Sequence, residues 1–180
     1  MEKWLFTPFT YVAGWKALLI GLAGIATTAF IGYLLTIHFD GPLSVHIGLD
    51  IPFYIFLTES AIAWISLSCI FYVSGSLLSK SSIRFIDVAG TIALARIPVV
   101  LTALGLLPGI KIFNPTSFYL MPVFFLFMLP SIWMVILYYN AFKISCNIKG
   151  FKLIAAFVAG IYLAEIISKI TVVQLYKLLL

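Results

Sequence analysis

Four ionisable side chains sit inside long apolar runs of this chain: Glu59, Arg96, Glu165 and Lys169. Two acids and two bases make a neutral set, which can serve as a buried ionic lock or as stations on a proton or ion pathway. The lock is the reading taken, with Arg96 paired to Glu59 or Glu165, because a guanidinium cannot shed its charge by deprotonation. Glu165 and Lys169 also share a helix face at i and i+4. Asp87, nine residues before Arg96, falls on the opposite face and outside the set.

A second group, His38, Asp40, His46 and Asp50, lies between His38 and Pro52 in a stretch without Lys or Arg. These are metal-ligand types, but neither HxxxH nor HExxH spacing occurs. The expectation is a solvated loop that turns at Gly41–Pro42 and holds no metal. A Gly-x-Ser-x-Gly elbow, a phosphate loop and a glycine-rich dinucleotide fingerprint are all missing. The chain is expected not to be an enzyme and to use no cofactor.

The elements that position these groups follow from composition. Of 180 residues, 63% are hydrophobic and 9% charged, against about 25% charged in a soluble domain. So few charges cannot cover a water-soluble surface, which makes lipid the surrounding solvent. The formal charge of +5 does not point to nucleic acid, since the bases punctuate apolar runs instead of clustering on one wet face. Cys69 lies in an apolar run and Cys146 in a short basic loop; both read as free thiols.

A helix crosses about 30 Å of hydrocarbon with about 20 apolar residues. Five stretches qualify: about Ala17–Ile37, Phe53–Leu78, Phe85–Leu107, Phe118–Tyr139 and Leu153–Tyr176. They do not alternate as barrel strands would. The fold class is therefore all-α, a polytopic bundle of five spans in a single membrane domain over residues 1–180, with an interfacial lead over residues 1–16. Met1–Ala29 imitates a signal peptide but reads as an uncleaved first span. Connections are short, so neighbouring spans pack antiparallel. Pro130 predicts a kink in the fourth span, whereas Pro122 fits a first helical turn.

Alternating spans place Lys3, Lys16, Lys80, Arg84, Lys143, Lys149 and Lys152 on one side and Lys111 and Lys177 on the other. Seven bases against two put the amino terminus in the cytoplasm and the carboxyl terminus outside. Trp15, Tyr54, Tyr119, Tyr138, Tyr139 and Tyr176 fall near span ends, as interfacial aromatics do. At about 1.5 Å per residue, Arg96 and Glu165 lie roughly 18 Å from the cytoplasmic edge, Glu59 about 21 Å and Lys169 about 24 Å, which makes one layer. Small residues recur every four positions at Gly24, Thr28, Gly32 and Thr36, and at Ala156, Gly160, Ala164 and Ser168. These ladders let helices approach closely within one bundle.

Before the first span, Trp4, Phe6, Pro8, Phe9 and Tyr11 form an aromatic segment too short to cross and placed in the headgroup region. The opening Phe6-Thr7-Pro8-Phe9 and the run Tyr139-Asn140-Ala141-Phe142-Lys143 resemble bacterial members of the Yip family. These are small five-span proteins related to eukaryotic Rab-interacting trafficking factors. The eukaryotic Asp-Leu-Tyr-Gly-Pro motif belongs to a long amino-terminal region. Asp40-Gly41-Pro42 here follows the first span, so no functional residue carries across. The resemblance implies a non-enzymatic membrane organiser or adaptor whose partners are the lipid bilayer and a membrane protein or a second copy of the chain. The competing class is a small transporter or channel that uses the charged layer. Few polar groups on the first and fourth spans disfavour a pore.

Overall fold

The computed structural model describes residues 5–48, 51–110 and 120–179, and of these the side chains outside 105–127 and 179. The protein is mostly helical: α1 (Gly14–Leu35), α2 (Phe53–Leu78), α3 (Phe85–Ala95), α4 (Pro98–Ile110), α5 (Leu120–Cys146) and α6 (Phe151–Leu179) follow a short 3-10 turn, Pro8–Thr10. Among the described residues, four stretches are long and apolar enough to cross a membrane, namely Gly14–Leu35, Phe53–Leu78, Phe85–Leu104 and Phe151–Leu178. The expected fourth span lies partly outside the described residues.

Burial ranks the spans. A third or less of the apolar windows in α1, α2 and α6 is buried, against 67% for Phe85–Leu104. The stretch Phe85–Leu104 is therefore central, and its residues from Val88 to Ala95 are buried on every side, as expected for a helix packed all round. It packs against α1, α2 and α5, while α6 packs mainly on α2. Contact with α1 is close because of two glycines. A Cβ on Gly21 would stand 2.5 Å from the Ala93 Cβ and the Leu94 nitrogen, and one on Gly90 would stand 2.6 Å from the Gly14 carbonyl oxygen. The small-residue ladders thus work inside the chain: Gly24 faces Ile97 and Gly160 faces Phe71.

The expected continuous third span is broken. Pro98 has no amide hydrogen, its ring crowds the carbonyl of Leu94, and it pushes Ile97 away from helical geometry. The chain answers with tight turns in which the Arg96 and Ile97 amides donate to Ala93 and Leu94 at 3.2 Å each. By contrast, α5 is assigned continuously through Pro130. At the end of α5, Asn147 (φ 49°) and Gly150 (φ 68°) adopt left-handed conformations that turn the chain into α6.

The amino-terminal lead is tied to α5. Trp133 Nε1 donates to the Leu5 carbonyl at 2.7 Å and Asn140 Nδ2 to the Phe6 carbonyl at 2.9 Å. Phe9 is buried in the core. Trp4 lies outside the described residues. Cys146, expected in a loop, closes α5 and is buried with its thiol toward the Phe71 carbonyl.

Candidate functional site

The stretch after α1 departs most from expectation. Thr36 ends α1 in the left-handed region (φ 53°), and the chain folds back as a hairpin in which β1 (Ile37–His38) pairs antiparallel with β2 (His46–Ile47). Its first half is not solvated: every residue from Ile37 to Pro42 is buried, whereas Leu43 and Val45 to Gly48 are exposed. Burying a loop leaves backbone groups that need partners, and long-range side chains supply them. Ser168 Oγ donates to the Asp40 carbonyl at 2.5 Å. Glu165 accepts from the Leu43 amide at 3.0 Å and from the Ser44 hydroxyl.

His38 anchors the base of the hairpin. Its Nδ1 lies 3.1 and 3.0 Å from the two carboxylate oxygens of Glu59, and both side chains are almost fully removed from solvent. The Tyr176 hydroxyl donates to the same carboxylate. Ring contacts fix the imidazole, which stacks on Phe56 at 4.3 Å and on His46 at 5.0 Å between centroids. His46 Nδ1 is in turn 3.5 Å from Asp40 Oδ1, a buried oxygen for which no hydrogen-bond donor is present among the described residues. Gly48 leaves room for this packing, since a Cβ there would come within 2.6 Å of His38 Nε2.

The charged layer is thus divided by the hairpin. Glu59 meets His38, Glu165 meets Leu43 and Ser44, and Lys169 is exposed. Arg96, 4% exposed, sits at the break in the third span and donates from Nη1 to the Tyr138 hydroxyl at 3.3 Å. Among the described residues no carboxylate lies within ion-pair distance of it. The expected pairing of Arg96 with Glu59 or Glu165 gives way because the hairpin reaches both acids first. Asp87 stands apart as expected, bound by Arg84 at 2.8 Å on the surface.

Tyr138 and Tyr176 were expected at the lipid interface, but both turn inward to charged partners. Tyr138 is fully buried. Adjacent Tyr138 and Tyr139 cannot share a helix face, and that is the signal by which one of them could have been placed inside. Ser44 and Ser168 carry no such signal, because their partners are more than 120 residues away.

As chemistry, the site offers a His–Glu–Tyr cluster in which the Tyr176 hydroxyl also lies 3.4 Å from His38 Nδ1. Of His38, Asp40 and His46, no set of three metal ligands forms with the described acids and thiols; Asp50 lies outside the described residues. Compared with family models, curated proteins and solved structures, the chain matches none of them.

Proposed function

We propose that this chain is an integral membrane protein of five spans, with its amino terminus in the cytoplasm and its carboxyl terminus outside. In this reading it acts as a non-enzymatic organiser or adaptor of the Yip-like type in a bacterial inner membrane. The observation that carries the reading is the use made of the intramembrane acids: Glu59 and Glu165 both bond to the hairpin, whose first half, residues 37–42, is buried. Polar groups spent on a latch do not line a conduit. The apolar faces of α1, α2 and α6, of which a third or less is buried, remain for lipid and for a membrane partner or a second copy of the chain.

A second reading, a small transporter, is favoured by one feature. A discontinuous helix with a buried guanidinium at its break has the form of the interrupted helices that hold substrates in transporters. Reconstitution into liposomes separates the two. The adaptor reading expects proton and ion flux no greater than in empty vesicles, with thiol labelling at Ser81→Cys from the cytoplasmic side only. Saturable flux that disappears in Arg96→Gln would transfer the assignment to a transporter.

A further inference from the structure

A groove opens on α5 where the amino-terminal lead meets it. Leu5 and Phe6 form one wall and Leu129, Ile132, Trp133 and Ile136 the other, around a volume of about 290 Å³, far more than the ~10–15 Å³ that a single water needs. All six side chains are apolar or aromatic, and Leu129 and Ile132 are more than half exposed, at 64% and 54%. The lead carbonyls at Leu5 and Phe6 are already taken, by Trp133 Nε1 and Asn140 Nδ2. Such a surface gains by covering itself with hydrocarbon.

Depth and charge identify that hydrocarbon. Leu129, Ile132, Ile136 and Lys143 recur at helical spacing and share one stripe of α5. With Tyr139 at the end of the expected fourth span, Ile136 lies about 5 Å inside the membrane core and Leu129 about 15 Å, the depth of one leaflet. Lys143 stands about 6 Å beyond the edge, at the level of lipid headgroups. It is exposed and takes part in none of the described ion pairs. The next charges along the chain, Lys149 and Lys152, have the same sign and add to the attraction for an anion.

We propose that the groove holds one acyl chain of an anionic phospholipid whose phosphate meets Lys143, drawn from the leaflet around the carboxyl end of α5. The proposal rests on the reading of the chain as membrane-spanning and not on its role as an adaptor. A phospholipid fits because an apolar slot one leaflet deep ends at a cation. A partner helix would have to bring its own carboxylate to that level, and a zwitterionic lipid brings a second cation beside Lys143.

The test uses the full chain in phosphatidylcholine vesicles that contain a minor fraction of acyl-brominated lipid, either phosphatidylcholine or anionic phosphatidylglycerol. Bromine quenches a tryptophan that it touches, and Trp133 lines the groove. Its emission is read with Trp4, Trp15 and Trp64 replaced by phenylalanine or, if that variant does not fold, as the difference between the full chain and Trp133→Phe. At equal fractions the anionic lipid should occupy the groove about fivefold more than the zwitterionic one, the effect of one basic residue beside an anionic headgroup. Lys143→Gln should remove this preference and Lys143→Arg should keep it. Equal quenching by the two lipids would mean ordinary bulk contact, and a preference that survives Lys143→Gln would mean that overall charge is sensed; either overturns the proposal. Quenching of the full chain with Trp133 untouched would put protein over the groove and overturn it too. No quenching of the full chain by either lipid would overturn the membrane reading, and the proposal with it.

Discussion

Gly41→Ala is the smallest change that tests how the hairpin is held. Gly41 is not in the left-handed region, which among the described glycines is occupied by Gly14 and Gly150, so alanine fits its backbone. Space is the obstacle, because the new methyl would stand 2.7 Å from Glu165 Cδ and Oε2. Ordinary contact requires the carboxylate or the hairpin to withdraw by about 1 Å. That stretches the 3.0 Å bond from the Leu43 amide beyond hydrogen-bonding range, along with the bond from Ser44. Hydrogen bonds to a charged group contribute about 1.5–3 kcal/mol each, but Glu165 is only half-buried and water can replace part of the loss. The net cost comes to about 1–3 kcal/mol, or about 2–4 °C of melting temperature per kcal/mol in a chain of this size. Thermal unfolding of a double-mutant cycle isolates the cause. With Glu165→Ala already in place there is no carboxylate to evict, and Gly41→Ala should then cost less than about 0.5 kcal/mol. Equal cost in both backgrounds would refute the latch.

Two further outcomes follow from the packing. Gly21→Ala drives a methyl into the backbone of α3, whereas Gly24→Ala meets the Ile97 side chain at 3.1 Å. Melting temperatures should therefore show Gly21→Ala as the more damaging, by about 1–3 kcal/mol of overpacking. Cys146 lies beyond the expected fourth span, and burial pushes its thiol up to about 12. It stays protonated throughout the neutral range, so a maleimide should modify it only after denaturation, as thiol counting by mass would show.

The long apolar helices were legible in the sequence because hydropathy depends on local composition. The expected second span coincides with α2 at both ends, and the first and last differ from α1 and α6 by only a few residues. Hydropathy does not register a missing hydrogen-bond donor, and so Phe85–Leu107 read as continuous although Pro98 stands in it. Pro130, where a kink is expected, lies within α5. The hairpin was illegible for a different reason. His38, Asp40 and His46 make the stretch polar, and polarity reads as solvation unless the partners are known. Those partners are Glu59, 21 residues after His38, and Glu165, Ser168 and Tyr176 from a helix more than 120 residues later. Arg96 shows the same limit. Its depth was readable from spacing, but its partner was not, because the acids at that depth are claimed by the loop.

Cysteine accessibility along the hairpin tests the central claim, that the first half of this loop is folded into the helices and shielded from solvent. In a background with Cys69 and Cys146 replaced by alanine, single cysteines at Phe39 and Val45 occupy the same short loop but very different surroundings, 2% and 42% exposed. The measurement is the rate of labelling by a membrane-impermeant maleimide applied from outside intact cells. The account predicts rapid labelling at Val45→Cys and protection at Phe39→Cys that is lost on denaturation. Equal, rapid labelling at both positions in the native protein would contradict it.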